Sequence, residues 1–269
     1  NSKKVELNGR YTHHAIFDET IKFIKNNKDK PFFLYCPWTP PHAAYQIPED
    51  EPAWKMYQDK PWPHDARVAA AMDTMMDRHV GEITALLKKL GLYQNTLMFF
   101  TSDNGAAKRF DGIHNSSGVM QGKKRSLNEG GIRVPMVVRW PGKIRAGRVS
   151  SHPWYFPDVM PTFAEIGGVS TEVPRDIDGI SILPTLLDEG EQKLHEYMFW
   201  HYGVRAVRSG KWKGIGKGGH LYLYDLSKDI EEKNDLSSKH PEIAARMKKY
   251  ITIGYREPRS QKDDGKYTG

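Results

Sequence analysis

The chain has 269 residues, 38% hydrophobic and 27% charged, with a formal net charge of +7 and a sequence pI near 9.2. That length buries a substantial core in one or two domains. It holds no apolar run of about 18 residues, which excludes a transmembrane helix from the sequence, and its one cysteine, Cys36, excludes an internal disulfide framework. No signal peptide is visible at Asn1. The basic charge is spread along the chain, and Lys123-Lys124-Arg125 is the one tight cluster in its middle. No zinc-finger, helix-turn-helix or RNA-binding signature accompanies it, so nucleic acid is not an expected partner.

In chain order, Thr12 to Asn27 reads as a helix, with Phe17, Ile21 and Ile24 on one face. Phe32 to Tyr35 reads as a strand. A proline-rich loop follows, through Pro37, Pro40, Pro41, Pro48, Pro52, Pro61 and Pro63. Loops of that length in a compact domain are usually functional or disordered. Asp65 to Leu90 carries the strongest helical pattern, with Ala69, Met72, Met76, Val80, Ile83, Leu87 and Leu90 at three- and four-residue steps and Gly91 as terminator. The run Leu97-Met98-Phe99-Phe100-Thr101 reads as a buried strand, and Val134 to Trp140 as another. Helix, strand, helix, strand predicts a largely parallel sheet with helices on its faces. Pro157 to Ile166 reads as a short helix ended by Gly167-Gly168, and Asp178-Gly179 as a turn before Ile180 to Leu183.

After about residue 195 the pattern changes. Tyr197–Trp200, Arg205–Arg208, Lys211–Lys213 and Leu221–Tyr224 are short and turn-separated, which predicts a small antiparallel sheet. Pro241 to Ile251 reads as a helix packed on it. The expected organisation is α/β: a mixed, largely parallel sheet flanked by helices over residues 1–194, a small α+β subdomain over 195–255, and a polar, mobile tail over 256–269.

The most informative residues end the strand at 97–101. Ser102-Asp103-Asn104-Gly105 places two side-chain oxygen donors at the carboxyl end of a strand, where open α/β folds bind ligands. Such oxygens suit calcium or magnesium. The plainer alternative is an Asn-Gly turn.

Three further runs accompany it: Pro31-Phe32-Phe33-Leu34-Tyr35 with Pro40-Pro41-His42, Gly122-Lys123-Lys124-Arg125-Ser126-Leu127-Asn128-Glu129-Gly130-Gly131 with Arg133, and Trp140-Pro141-Gly142. In this order, with Leu-Tyr-Asp-Leu near the end, the chain resembles the type I, formylglycine-dependent sulfatases of the alkaline phosphatase superfamily, from about Tyr11 to Leu236. The resemblance implies a sulfuric ester hydrolase acting on sulfate esters of carbohydrates or small molecules. It implies Asp103 and Asn104 as ligands of Ca2+, Lys124 and His42 as catalytic groups that hold sulfate and assist the leaving oxygen, and His114 as a substrate contact. The alternatives are a surface role for Lys124, a loop-capping role for His42, and structural roles for Glu129-Gly130-Gly131. Arg133 is expected to pair with a carboxylate inside the fold. Trp38, Trp54, Trp62 and His64 could stack on sugar rings, or be packing residues.

The family's Cys/Ser-x-Pro/Ala-x-Arg nucleophile motif is not found, because Cys36 stands in Cys-Pro-Trp-Thr-Pro with no arginine in place. Cys36 is expected to be a packing residue. The early pair of metal-binding aspartates is also not found. The chain therefore reads as the C-terminal portion of a sulfatase, with the N-terminal half as its partner, formylglycine in that half, and no turnover from these residues alone. Missing sheet should leave apolar edges exposed. By resemblance the compartment is secreted, periplasmic or lysosomal. Rival readings are a phosphodiesterase or phosphonate monoester hydrolase of the same superfamily, and a non-catalytic homologue that binds sulfated glycans.

Overall fold

The structure, a computed structural model, describes residues 4–174 and 176–257. From residue 258 onward the expected polar tail lies outside the described residues. The chain divides into two compact units. One holds the described chain up to Leu97 with Gly112–His114 and Trp140–Gly142; the other holds Met98–Asp111, Asn115–Arg139 and the described chain from Lys143.

The first unit is helical. Helix α1 (Thr12–Asn27) buries His13, Phe17, Thr20 and Ile24, one helical face at steps of four and three. Glu51 caps the short α2 (Pro52–Lys55) by accepting from the Ala53 amide. Helix α3 (His64–Lys89) buries Ala66, Val68, Ala69, Ala71, Met72, Met75, His79 and Leu87. Ala53, Ala71 and Met75 form a core with Tyr11, Ile47, Trp54 and Tyr57 against it. The predicted strand Phe32–Tyr35 forms no ladder among the described residues, and Phe33 and Tyr35 are 69% and 72% exposed. Its burial alternates residue by residue, the period of a strand.

A buried imidazole pair joins α1 to α3. His13 Nε2 lies 2.9 Å from His79 Nδ1, so at least one ring must be neutral. Phe17 stacks on His79 at 3.8 Å, and Trp38 meets His13 edge-on at 5.2 Å. Beside the pair, buried Glu51 accepts from Arg78 at 2.8 Å and meets His14 at 3.0 Å.

In the second unit, strands β1 (Met98–Thr101) and β2 (Met136–Arg139) pair antiparallel, Thr101 opposite Met136. This corrects the parallel neighbour relation that the alternation of elements suggested. The chain between them is no crossover. It is a long loop that carries only the short helix α4 (Glu129–Ile132) and returns to the strand it left. Helix α5 (Val159–Ile166) packs Phe163 edge-on against Phe99 at 5.2 Å. After Gly179, Leu183–Leu187 forms a short helix, α6, with Pro184 in its first turn. Fully buried Asp158 pins this region, accepting from the amides of Tyr155 and Ile180 and facing His195 Nε2 at 2.8 Å.

Strands β3 (Met198–Tyr202), β4 (Val204–Ser209), β5 (Trp212–Lys217) and β6 (His220–Asp225) form the expected antiparallel sheet in sequential order. Helix α7 (Pro241–Ile253) covers one face, where Ala244, Met247 and Tyr250 meet Val207, Leu221 and Leu223. The other face carries Ala206, Ile215 and Tyr224, and Leu127 and Ile132 pack there.

Backbone hydrogen bonds lace the loop between β1 and β2. Gly105 N donates to Gly131 O at 2.9 Å, Lys124 N to Ala106 O at 2.7 Å, and Gly130 N to Gln121 O at 2.7 Å. The approach is too close for side chains. A Cβ on Gly105 would sit 2.1 Å from Gly130 O, and one on Gly131 would sit 2.2 Å from Ser126 O and 2.5 Å from Lys123 O. These neighbours are backbone and cannot swing away.

Two outcomes follow. Gly131→Ala is expected to cost roughly 2–4 kcal/mol, read as a lower denaturant midpoint at unchanged slope; an unchanged midpoint would contradict the close approach. Burial first, then neighbouring cations, hold His13 and His79 down to about 4. Their unfolded value is about 6.5, so the stability they contribute is complete above that pH and is lost as pH falls toward about 4. Melting temperature should drop over that window, and the His13→Leu, His79→Phe double variant should flatten the drop. An equally steep fall in the double variant would assign it to other groups.

Candidate functional site

Strand β1 ends at Thr101 and the chain leaves it as Ser102-Asp103-Asn104-Gly105. Ser102 Oγ donates to Asn104 O at 3.1 Å, and Asn104 Nδ2 donates to Gly105 O at 3.0 Å. That second bond uses the nitrogen end of the amide and turns its oxygen into the available end. Asp103 is exposed, and its carboxylate has neither hydrogen bond nor ion pair among the described residues. Two adjacent oxygen donors without partners match the chemistry of a hard cation in kind. They do not match it in number. Calcium takes about six to eight oxygens, and no group of three or more potential His, Cys, Asp or Glu ligands gathers among the described residues.

The loop bearing Lys124 is stitched to this one through the Lys124–Ala106 and Gly131–Gly105 backbone bonds. Lys124 is half-buried while Lys123 is exposed, which separates the two lysines as the motif spacing did. Lys124 makes no ion pair among the described residues, so its ammonium is available to an anion. The structure thus brings together the stems of Asp103, Asn104 and Lys124. Among the described residues the Asp103 carboxylate, the Asn104 amide oxygen and the Lys124 ammonium are left without partners, while the Asn104 amide nitrogen is used by Gly105 O.

Glu129 is buried, and Arg133 Nε meets its Oε2 at 3.0 Å, the pairing expected for Arg133. Burial would raise the Glu129 carboxyl, but the Lys213 ammonium and Arg133 outweigh it and hold the carboxyl below its usual range.

His42 and His114 belong to the first unit. His42 is exposed, and its Nδ1 lies 2.7 Å from Ala43 O, so Nδ1 carries the proton in that bond. Nε2 of the neutral ring then holds the lone pair, and protonation there makes it a donor. His114 meets Trp62 edge-on at 5.5 Å. Trp62 in turn stacks with Tyr57 at 6.2 Å, Trp54 meets His64 at 5.6 Å, and the Arg67 guanidinium lies over Trp54 at 5.7 Å. The loop's tryptophans are half-buried, Trp54 against His64 and Arg67 of α3, Trp62 against Tyr57 and His114, and Trp38 against His13 and Phe17 of α1.

Sequence reading missed Lys213 and Glu232. Lys213 appeared as one of several basic residues in a short strand, and only its burial distinguishes it. Glu232 lies shortly after the Leu-Tyr-Asp-Leu run, which pointed to the family but not to a role. The His13–His79 pair was also missed, because Tyr-Thr-His-His gives no sign of a partner on another helix.

A family model described as Sulfatase matches residues 1–169, and one described as N-sulphoglucosamine sulphohydrolase, C-terminal, matches residues 121–255. The chain is 33% identical to the steryl-sulfatase of Mus musculus over 202 residues, covering 72% of this chain and 30% of that protein. It is 28% identical to the N-acetylgalactosamine-6-O-sulfatase of Bacteroides thetaiotaomicron over 267 residues, covering 88% of this chain and 49% of that protein. It therefore spans half or less of the length of these relatives. Among solved structures, Ps i-CgsB in complex with k-i-k-neocarrahexaose superposes with a TM-score of 0.82 at 30% identity, over 94% of this chain and 56% of that one. The phosphonate monoester hydrolase of Silicibacter pomeroyi shares the fold, with a TM-score of 0.64 at 19% identity over 91% of this chain and 60% of that one. The fold is thus the α/β fold of the alkaline phosphatase superfamily. With a family model running from the first helix through the loops that carry Asp103, Asn104 and Lys124, the chain belongs to the sulfatase family.

Proposed function

We propose that this chain supplies part of the metal and sulfate site of a sulfuric ester hydrolase acting on carbohydrate or other sulfate esters. The observation that carries this reading is the stitched pair of loops that presents an unpaired carboxylate, an oriented amide oxygen and an unpaired ammonium. A sulfate ester carries spread negative charge, and its leaving oxygen gains more as the bond breaks. Fixed cations around both ends lower that barrier.

In this reading Asp103 and Asn104 contribute two of the oxygens that hold Ca2+, which when bound would polarise the sulfate oxygens. Lys124 holds the sulfate and offers a proton toward the leaving oxygen. His42 donates from Nε2 when protonated, its ring held by the Nδ1 bond to Ala43 O. His114, packed on Trp62, contacts substrate. The N-acetylgalactosamine sulfatase among the relatives and the k-i-k-neocarrahexaose bound in the Ps i-CgsB complex support a sulfated glycan as substrate.

The nucleophile motif is absent from these 269 residues. We assign the formylglycine and the remaining metal ligands to an N-terminal half of the same protein. Tyr35, 72% exposed on a segment that forms no ladder among the described residues, supports a covering partner there, as does the greater length of the relatives. No helix among the described residues is long and apolar enough to cross a membrane, and the compartment proposed is secreted, periplasmic or lysosomal. The rival phosphoryl chemistry rests on fold alone.

In the protein expressed from its complete gene, Asp103→Asn should weaken calcium binding by calorimetry about 10-fold or more, and Lys124→Ala should lower kcat/KM for an aryl sulfate by about 100-fold or more. Melting temperature in Lys124→Ala should stay within a few degrees, about what a surface substitution moves. The 269-residue chain alone should show no turnover. Full activity in Lys124→Ala, hydrolysis of phosphonate esters in preference to sulfate, or turnover by the chain alone would each overturn part of this reading.

A further inference from the structure

The centre of the second unit contains a buried charge cluster that the reaction itself does not use. Lys213, on β5, is fully buried, and its Nζ lies 2.8 Å from Glu129 Oε1 and 2.9 Å from Glu232 Oε1. The other oxygen of Glu232 accepts from the Glu129 backbone N–H at 2.6 Å. One ammonium and one carboxylate from the C-terminal sheet and its following loop therefore hold both the side chain and the main chain of Glu129.

Glu232 is itself held firmly. It adopts φ +54, a left-handed conformation that costs a non-glycine residue. The chain around it is fixed by aspartates. Asp229 accepts from the amides of Lys233 and Asn234, and Asp235 from those of Leu223 and Ser237. The 225–237 loop thus delivers one carboxylate to one buried place.

Glu129 opens the turn Glu129-Gly130-Gly131. Gly131 bonds to Gly105 beside Asn104, and Gly130 bonds to Gln121, three residues before Lys124. Leu127 and Ile132 lay the same segment on the sheet face that Lys213 shares with Ile215. Burial costs these charges heavily unless each is matched. Lys213 and Arg133 offset Glu129 and Glu232, and burial leaves Glu232 raised while Glu129 is lowered, as expected when one ammonium serves two carboxylates unequally.

We infer that Lys213 and Glu232 are positioning residues, which set the Lys124 loop and the Asp103–Asn104 loop through Glu129 without touching substrate. The inference rests on the sulfatase reading for its catalytic consequence, and on the structure alone for its mechanical one.

The test uses the protein expressed from its complete gene, as Lys213→Met and Glu232→Gln variants. Amide hydrogen exchange in 121–133 and 102–107 should speed about 10-fold or more in Lys213→Met, while 241–253 on the opposite sheet face changes less than about 2-fold. With 4-nitrophenyl sulfate as probe, kcat should fall more than KM rises, because the loss is of alignment and not of ground-state contacts. Glu232→Gln keeps the volume and an acceptor for the Glu129 amide, so it should shift the same segments by a smaller factor, and it decides the matter if Lys213→Met does not fold. Unchanged exchange in 121–133, or equal opening of 241–253, would overturn the inference. Wild-type protein without sulfate-ester hydrolysis would remove the sulfatase reading, while the exchange result would still decide the positioning role.

Discussion

A buried ammonium between two buried carboxylates is the constraint on which the second unit depends. Taking Lys213, Glu129 and Glu232 out of water is unfavourable by itself, and the arrangement is tolerable only while all three stay together. A hydrophobic core accepts many neighbouring solutions of similar energy. A charge cluster accepts very few, since a shift of an ångström leaves a charge unpaired. That intolerance is useful where a long glycine-rich loop must hold one shape. The apolar contacts of Leu127 and Ile132 press the loop onto the sheet, and the charges set where along the sheet it sits.

The four-stranded sheet consequently has two different faces. One carries α7 through ordinary apolar packing around Met247, and Gly214 makes room there, since a Cβ on it would sit 2.9 Å from Met247 Cβ. The other presents Lys213 and Ile215 to the loop of Lys124. The C-terminal sheet, late in the order of elements, is therefore the surface on which the loop of Lys124 rests. Asp103, Asn104 and Lys124 need that surface because their own loops contain little regular structure beyond the single turn of α4.

Much of this was legible in the sequence wherever the signal was local. Helix Thr12–Asn27 has the bounds its apolar spacing gave, and the four strands after residue 195 follow from turn chemistry and alternation. Arg133 finds its carboxylate four residues away, within reach of pattern reading. The failures share a physical cause. Phe32–Tyr35 has the composition of a strand, but a strand is made by pairing, and no ladder forms there among the described residues. The antiparallel β1–β2 pair depends on where a long loop turns back, which no periodicity encodes. Met75, and not Met76, sits fully in the core because the phase of α3 is set by α2 and α1 packing on it. Lys213 and Glu232 were invisible because their partners lie far off in sequence, and a lysine in a basic chain carries no mark of burial.

The same separation gives the protein an order of assembly. Glu129 is 84 residues from Lys213 and 103 from the carboxylate that caps its amide. Contacts that far apart form late, since the loop they close must first be brought together. During synthesis, residues 121–131 leave the ribosome well before the chain that braces them, and domains fold as their residues become available. The segment that bears Lys124 therefore cannot be braced until Glu232 has been made, and a nascent or truncated chain ending before Glu232 leaves it without that support.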